Sequence, residues 1–200
     1  MRFVELADHS CISNLMPEIN SLHALIAKRW SPRAFTSQPV DPATLRTLFD
    51  AARWAFSSNN EQPWRFVVGT KDNPEEFARV LDVLVPGNQA WAKTAYVLGV
   101  SFGKKTFSYN GSPDRFGLHD AGAALANLAI QATAMGLHVH AMGGFDAVRA
   151  RTEFGVPDDF EAGAAFAIGY LDGPDTPPAP RTRKPLEEFL FGTEWGKPLF

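Results

Sequence analysis

The chain has little cysteine and no long apolar run. Cys11 is the only cysteine among 200 residues, so no intramolecular disulfide and no cysteine-based metal cluster can form. We interpret it as a small apolar filler or tail residue. No apolar run approaches the roughly 20 residues that a membrane helix requires. The N-terminus carries Glu5, Asp8 and His9 among its apolar residues and is a poor signal peptide. We therefore expect a cytoplasmic protein without membrane contact.

The charge balance and the glycine spacing give information on which ligands the chain could bind. The chain has 19 Lys and Arg against 22 Asp and Glu, a formal net charge of -3, and no long basic block, which argues against nucleic-acid binding. No Gly-x-Gly-x-x-Gly follows a predicted strand, so the sequence carries no fingerprint from which a dinucleotide preference could be read. With 45% hydrophobic residues, the chain can form one domain with an ample core. We assign residues 18–200 to that domain and regard 1–17 as an N-terminal extension of undecided role.

Hydrophobic periodicity predicts alternating helices and strands. Asp41 before Pro42 is typical of an N-cap followed by proline at the first helical position. The predicted helices cover residues 18–29, 42–55, 74–84, 118–136 and 146–154, and the predicted strands 65–70, 95–102, 138–142 and 164–170. This order predicts an α+β fold in which a mixed central β-sheet is flanked by helices.

The helix predicted over residues 118–136 is apolar on every face. Its alanines and glycine permit close approach of another helix, so we expect it to pack against its own copy in a second subunit. A helix buried within one chain is the alternative.

Residues 57–64 read Ser-Ser-Asn-Asn-Glu-Gln-Pro-Trp and separate a predicted helix from a β-branched run. Hydroxyl and carboxamide groups at low steric cost suit the edge of a flavin ring or a phosphoribityl chain. The same residue types are equally typical of an ordinary helix-to-strand loop.

Two further segments carry pairs of arginines, at 29–33 (Arg-Trp-Ser-Pro-Arg) and at 181–183 (Arg-Thr-Arg). Guanidinium groups bind phosphate oxygens in a bidentate manner, and Ser31 adds a hydroxyl donor. Taken singly, each pair is also typical of solvated surface charge.

Taken together, these segments resemble the flavin-dependent nitroreductase family. The resemblance rests on Arg-Trp-Ser-x-Arg-x-Phe at 29–35, Ser-Ser-x-Asn-x-Gln-Pro-Trp at 57–64, Gly-Gly-Phe-Asp at 143–146 and Arg-x-Arg at 181–183, in that order. It covers residues from about 25 to about 189. It implies a nitroreductase-like fold in an intertwined homodimer, with a swapped C-terminal arm formed here by residues 173–200. Prolines in 173–180 agree with an extended connector.

The resemblance also implies a cofactor, FMN, bound at the dimer interface. Arginines and Ser31 would surround its phosphate, and the serines of the 57–64 loop would reach in from the other chain. Asn88 would contact the flavin, although it is equally typical of a plain turn. The implied cofactor-binding residues are Arg29, Trp30, Ser31, Arg33, Phe56, Ser57, Ser58, Asn60, Asn88, Met142, Gly143, Gly144, Arg181 and Arg183.

The implied activity is ping-pong hydride transfer through the flavin. NADPH or NADH would reduce FMN, and a small oxidised compound such as a nitroaromatic, a quinone or an activated alkene would reoxidise it. No catalytic acid or base in the protein is required, because the protein supplies orientation and charge.

Three departures from the family stand out. Gly143 replaces an acidic residue common among relatives, Trp30 is bulkier than the usual occupant, and Phe56 stands at a frequent proline.

A polar loop at residues 107–115 is a candidate lid over the flavin face, or else a surface excursion. It and the following helix supply the predicted substrate mouth, formed by Tyr109, Asp114, Arg115 and His119. His138 and His140 would share one face of a strand, and with His119 they could form a metal site. No acidic or cysteine partner stands at ligand spacing, so we favour packed or hydrogen-bonded histidines and expect no metal.

Other functions remain compatible with the sequence. On the same fold, they are oxygen-dependent flavin chemistry and reductive dehalogenation; outside enzymology, they are a flavin carrier or sensor and a structural dimer without cofactor. The tail after residue 184 is rich in leucine and aromatic residues, and we expect it to dock on a protein surface.

Overall fold

The computed structural model describes residues 22–200. Our predictions on Cys11, on the extension 1–17 and on the first residues of the 18–29 helix lie outside the described residues. The helices are α1 (Ala24–Lys28), α2 (Pro42–Ala52), α3 (Pro74–Asp82), α4 (Pro86–Ala92), α5 (Gly117–Ala134) and α6 (Ala147–Glu153). The strands are β1 (Trp64–Thr70), β2 (Val97–Lys104), β3 (His138–Met142) and β4 (Phe160–Gly169). Single 3-10 turns lie at Ser58–Asn60 and Leu186–Glu188.

The sheet has the strand order β1-β2-β4-β3, and each neighbouring pair is antiparallel. Our prediction of a mixed sheet was therefore wrong for residues 22–200. The physical reason is that residue periodicity identifies a strand but carries no information on its direction. Direction depends on the connections, which bring each strand back against its neighbour.

The hydrophobic core fills both faces of the sheet because side chains alternate along each strand. On one face, Phe166 of β4 packs in a buried cluster with Leu48 of α2 and Leu128 of α5. On the other face, Ala167 lies in a second cluster with Val80 of α3. Helices thus cover both sides of the sheet, as the sequence predicts.

Side-chain caps begin several helices where the sequence predicts them. Asp41 accepts a hydrogen bond from the backbone N–H of Thr44 at 2.9 Å, and Asp146 accepts one from the N–H of Arg149 at 2.9 Å. Such caps satisfy backbone donors that have no partner inside the helix.

The segment around Asn88 is helical. We weighed Asn88 as a plain turn residue, but it lies within α4, which begins at Pro86. Proline at the first turn of a helix loses no hydrogen bond. Asn88 is therefore held by a helix and not by a turn.

Helix α5 packs on α2 and on the sheet and exposes an outer stripe that includes Leu118, Gly122 and Ala126. These small and apolar residues leave the outer face open to another helix. Contact with a second copy stays a prediction. Among residues 22–200, no helix combines the length and the apolar character needed to cross a membrane.

Candidate functional site

Arginines from both ends of the described chain meet beyond the end of α1. Arg181 donates hydrogen bonds to the carbonyl oxygens of Arg29 and Ala27, and Arg29 Nη1 donates to Ser31 Oγ at 3.2 Å. Burial, and then the positive charges of Arg181 and Arg183, lower the pKa of Arg29. We call Arg29, Ser31, Arg181 and Arg183 the arginine cluster.

The arginine cluster lacks a carboxylate partner within the described residues. Arg29, Arg181 and Arg183 take part in none of the ion pairs found among residues 22–200. A groove of about 350 Å³ is lined by Arg181 and Arg183 together with Leu22, Ile26 and Ala27. Mutually repelling guanidinium groups at a groove are suited to bind an anion.

Asn88 and Gly144 form a second predicted element of the site. Asn88 Nδ2 donates to the carbonyl oxygen of Gly144 at 2.9 Å. A Cβ atom on Gly144 would lie 2.6 Å from that same Nδ2 and 3.0 Å from Val85 Cγ2. The Asn88 side chain therefore requires glycine at position 144. The neighbouring Gly143 is exposed, and a Cβ atom added to it would have nothing within 4 Å, whereas Met142 is buried in the core.

The loop at 57–62 adopts an unusual backbone. Asn59, Asn60 and Gln62 have positive φ angles of 52°, 55° and 52°, a left-handed region that non-glycine residues rarely occupy. The Ser58 N–H donates to the buried Asp120 Oδ2 at 2.8 Å, and the Gln62 N–H donates to Ser57 Oγ at 3.1 Å. These contacts hold the strained loop in place.

Glu61 joins this loop to the one at 105–116. Its carboxylate accepts hydrogen bonds from the backbone N–H of Ser108 at 2.9 Å and from Ser108 Oγ, and Lys104 Nζ lies 3.6 Å away. The Ser108 hydroxyl, and then the Ser108 N–H and the Lys104 charge, lower the pKa of Glu61. The two loops are consequently one connected unit.

Comparison with known proteins identifies the family. The Nitroreductase family model matches residues 26–86 and 70–170. The chain belongs to the Nitroreductase family. It is 34% identical over 154 residues to an uncharacterized 15.4 kDa protein of Mycolicibacterium smegmatis, covering 68% of this chain and 99% of that protein. It is 28% identical over 180 residues to a Rhodopseudomonas palustris protein provisionally named NADH dehydrogenase/NAD(P)H nitroreductase, covering 80% of this chain and 90% of that protein.

Solved structures support the same conclusion. A crystal structure described as an oxidoreductase containing FMN superposes with a TM-score of 0.81 at 38% identity, covering 92% of this chain and 97% of that chain. A nitroreductase family protein of Clostridium difficile 630 gives a TM-score of 0.70 at 24% identity, covering 85% and 96% of the two chains; at that identity it supports the fold alone. The predicted nitroreductase-like α+β fold is thus confirmed.

Three of the four predicted mouth residues, Tyr109, Arg115 and His119, are exposed, and two of them contact residues of the 57–62 loop or its neighbour Phe56. Asn59 Nδ2 lies 3.5 Å from the Tyr109 hydroxyl, and the rings of His119 and Phe56 lie 5.8 Å apart. Arg115 is exposed and covers the ring of Phe116.

Asp114, the fourth predicted mouth residue, is only 5% exposed. Its Oδ1 accepts from the Phe116 N–H at 2.9 Å, so the side chain shapes the turn into α5. The structure therefore buries Asp114, whereas Tyr109, Arg115 and His119 are exposed.

The predicted residues fall into two groups within the described chain. One comprises the arginine cluster with Asn88 and Gly144, and the other comprises the 57–62 loop with the exposed mouth residues. No hydrogen bond or ion pair in residues 22–200 joins the two groups. The resemblance assigns the groups to different subunits of one site, and that assignment stays a prediction.

Sequence reasoning missed the residues that support the site. Asp120 and Glu61 hold the 57–62 loop, and Asp175 pairs with Lys28 beside the arginine cluster. An acidic residue in the first turn of a helix is commonplace, so nothing in the sequence distinguishes Asp120. The three histidines weighed as metal ligands have other partners, and among residues 22–200 no three His, Cys, Asp or Glu side chains are arranged to hold a metal ion.

Proposed function

We propose that this nitroreductase family member is a homodimeric FMN-dependent oxidoreductase. It uses NADPH or NADH to reduce small oxidised compounds such as nitroaromatics, quinones or activated alkenes. The arginine cluster is the observation that carries this proposal.

A phosphate group fits the arginine cluster by charge and by donor geometry. Burial, and then the positive charges of Arg181 and Arg183, lower the pKa of Arg29, so these three guanidinium groups lie close enough to repel one another. A phosphate dianion would relieve this repulsion and accept several charge-assisted hydrogen bonds. Ser31 Oγ lies beside Arg29 at 3.2 Å and adds a hydroxyl donor. FMN carries a terminal phosphate, and this group suits the donors of the arginine cluster.

The end of β3 fits the edge of a planar ring. Nothing lies within 4 Å of a Cβ position on Gly143, and Asn88 fixes the backbone at Gly144 through a 2.9 Å hydrogen bond. The exposed Gly143 leaves the approach open, and the fixed backbone would present its polar groups in one orientation. FMN bound here supplies reversible two-electron redox exchange between a reduced nicotinamide and an oxidised acceptor.

The protein's own contribution is binding, orientation and access. Arg29, Arg33, Arg181 and Arg183 would hold the phosphate, while Ser57, Ser58 and Asn60 of the partner subunit would contact the flavin. Gly143 leaves this chain without the carboxylate that many relatives place beside the flavin. The exposed Tyr109 and Arg115 would border the opening through which donor and acceptor enter in turn.

Exposed apolar surface supports a homodimer. Trp195 is 93% exposed and Phe200 84% exposed, which is costly for aromatic side chains in water. A second copy that covers the tail would remove this cost and would bring the two groups of site residues together.

The test is a visible absorption spectrum of the purified full-length protein after incubation with FMN and desalting, recorded anaerobically before and after NADPH or NADH. We expect a retained yellow band that bleaches. A retained band that persists with both donors would favour the flavin carrier or sensor over the reductase. No retained flavin would contradict the phosphate site and the proposal with it.

Substitutions locate the site. Arg33→Ala and Arg183→Ala should each raise the Kd for FMN by about tenfold or more, because a charge-assisted contact is lost. Arg46→Ala is the matched control, since Arg46 is an exposed arginine on α2. Equal FMN affinity in all three variants and the parent would contradict the phosphate assignment.

A further inference from the structure

The two histidines of β3 lie next to the arginine-bearing segments, and the role inferred for them rests on the proposed function. His138 and His140 are two residues apart on one strand, so their side chains leave the same face of the sheet. Each histidine contacts a different segment that carries arginines of the cluster. His140 contacts residues 29–33, and His138 contacts the connector from 173 to 183.

These two segments have little regular structure of their own. Their inner ends are joined by an isolated antiparallel bridge between Phe35 and Leu171. The Asp172 N–H donates to the Ala34 carbonyl oxygen at 3.2 Å. Beyond this bridge, no helix or strand of the described residues includes positions 29–33 or 173–183. Other contacts must therefore fix the arginines at the spacing that a phosphate needs.

His140 holds the first segment. Its Nδ1 lies 2.7 Å from the carbonyl oxygen of Pro32, between Ser31 and Arg33. A carbonyl oxygen only accepts, so Nδ1 carries the hydrogen and donates. The ring of Trp91 lies against the imidazole, with centroids 4.5 Å apart, and fixes its plane. His140 thereby sets the path of the backbone between two predicted phosphate ligands.

His138 holds the second segment. It is 5% exposed, and its Nε2 lies 3.0 Å from Asp175 Oδ1 in the connector. The other oxygen of Asp175 pairs with Lys28 Nζ at 2.9 Å, and Lys28 directly precedes Arg29. Asp175 therefore links β3, the connector and the end of α1. His138 Nδ1 is buried without a hydrogen-bond partner among the described residues, which agrees with a neutral ring that carries its hydrogen on Nε2.

We propose that His138 and His140 are positioning residues that hold the two arginine-bearing segments in register for the FMN phosphate. Neither needs to touch the cofactor. Each lowers the ordering cost of binding by fixing a segment before the phosphate arrives. Metal ligation, the other role considered for this pair, is not required by any of these contacts.

Riboflavin provides the discriminating probe, because it has the ring and ribityl chain of FMN but no phosphate. The experiment measures the Kd of FMN and of riboflavin by fluorescence titration of the flavin-depleted full-length protein. We expect the parent protein to favour FMN by about tenfold or more. His138→Leu and His140→Leu should each raise the Kd for FMN by about threefold to tenfold, the loss of one hydrogen bond, and leave the Kd for riboflavin unchanged.

Conservative variants separate positioning from packing. Asn can mimic donation from Nδ1 and Gln can mimic donation from Nε2. His140→Asn should therefore retain FMN preference where His140→Gln loses it. At position 138 the opposite result is expected. His138→Gln should retain the preference for FMN, and His138→Asn should lose it. These four variants also keep the test decisive if a leucine variant fails to fold.

The outcomes distinguish this inference from the function on which it rests. A parent protein that binds riboflavin as tightly as FMN would contradict the phosphate site itself. A parent that prefers FMN, with variants that keep the same preference or weaken both flavins equally, would overturn the positioning role alone. A reduced preference with the predicted Asn and Gln pattern would support it.

Discussion

The carboxylate of Asp120, in the first turn of α5, accepts a hydrogen bond from the backbone N–H of Ser58 at 2.8 Å. Its second oxygen lies 2.8 Å from Nδ1 of His119. Asp120 is 2% exposed, so the contact is shielded from solvent. One buried side chain therefore joins the 57–62 loop to the helix that carries part of the predicted substrate mouth.

Removal of this carboxylate should destabilise the protein. Asp120→Ala would leave the Ser58 N–H without its partner, at a cost of about 1–3 kcal/mol in the free energy of unfolding. Asp120→Asn, which retains an acceptor oxygen, should cost less. Urea denaturation followed by circular dichroism measures both. Asp50→Ala is the control, since Asp50 is an exposed partner of Arg53 and such pairs contribute about 1 kcal/mol or less. Equal losses at positions 50 and 120 would contradict the role of Asp120.

Gly143 and Gly144 should respond differently to alanine. A Cβ on Gly144 would lie 2.6 Å from Asn88 Nδ2, whereas Gly143 has nothing within 4 Å. Gly144→Ala should lower the free energy of unfolding by about 1–3 kcal/mol through overpacking and should disturb Asn88. Gly143→Ala should be nearly neutral. Urea denaturation measures both variants, and Gly143→Ala is the control for Gly144→Ala. A larger loss of unfolding free energy in Gly143→Ala than in Gly144→Ala would refute the packing argument.

Stability should fall as the pH drops below about 6.5. Burial lowers the pKa of both His138 and His140 below their ordinary value of 6.5. For His140, the hydrogen bond to the Pro32 carbonyl raises the pKa, and the charges of Arg33 and Arg29 lower it. For His138, the Asp175 carboxylate raises the pKa, and the charge of Lys28 lowers it. Below pH 6.5 the unfolded chain takes up protons that the folded chain binds less readily, so protonation favours unfolding. The contribution is complete above pH 6.5 and is lost as the pH falls towards the folded pKa values.

Urea denaturation of flavin-free protein at pH 7.5 and 5.5 measures this dependence. The double variant His138→Gln, His140→Asn lacks both titrating groups and should show a weaker loss at pH 5.5. The pKa of Asp175 is also lowered, from 3.8, so its contribution is lost only at more acidic pH. An unchanged pH dependence in the double variant would show that other groups are responsible.

The proposed homodimer should depend on the aromatic tail. Trp195→Ala combined with Phe200→Ala removes two exposed aromatic side chains, and we expect it to weaken the dimer by about tenfold or more because their burial stabilises association. Size-exclusion chromatography with light scattering over a dilution series measures the change. Lys197→Ala is the control, since it alters an exposed pair with Glu194 in the same tail. Equal dissociation of the aromatic double variant and of Lys197→Ala would show that docking of the two aromatic side chains does not stabilise the dimer.

Much of the fold follows from local signals. The strand predicted over residues 138–142 has those bounds in the structure, and Asp41 caps α2 as predicted, because side chain and backbone partner are three residues apart. The antiparallel course of the sheet did not follow, since the periodicity of a strand is the same in either direction.

Part of the candidate site was likewise predictable from the sequence, and part of it was not. Its residue types were visible in sequence order, and the structure places Arg29, Ser31, Arg181 and Arg183 together. The burial of Asp114 was not visible, because a polar residue in a polar stretch gives no sign of being covered. The supporting residues were hidden for a further reason, since carboxylates and histidines acquire such roles only through distant partners.

The sequence by itself determined where most helices and strands lie, which chemistry the arginines and the 57–64 loop could offer, and the family to which those motifs point. Only the tertiary structure decided which groups meet. Asp120 and Ser58 are 62 residues apart, His140 and Pro32 are 108 apart, and His138 and Asp175 are 37 apart. Local capping and periodicity depend on neighbours within a few residues, whereas contacts of this range exist only once the sheet and its helices have packed.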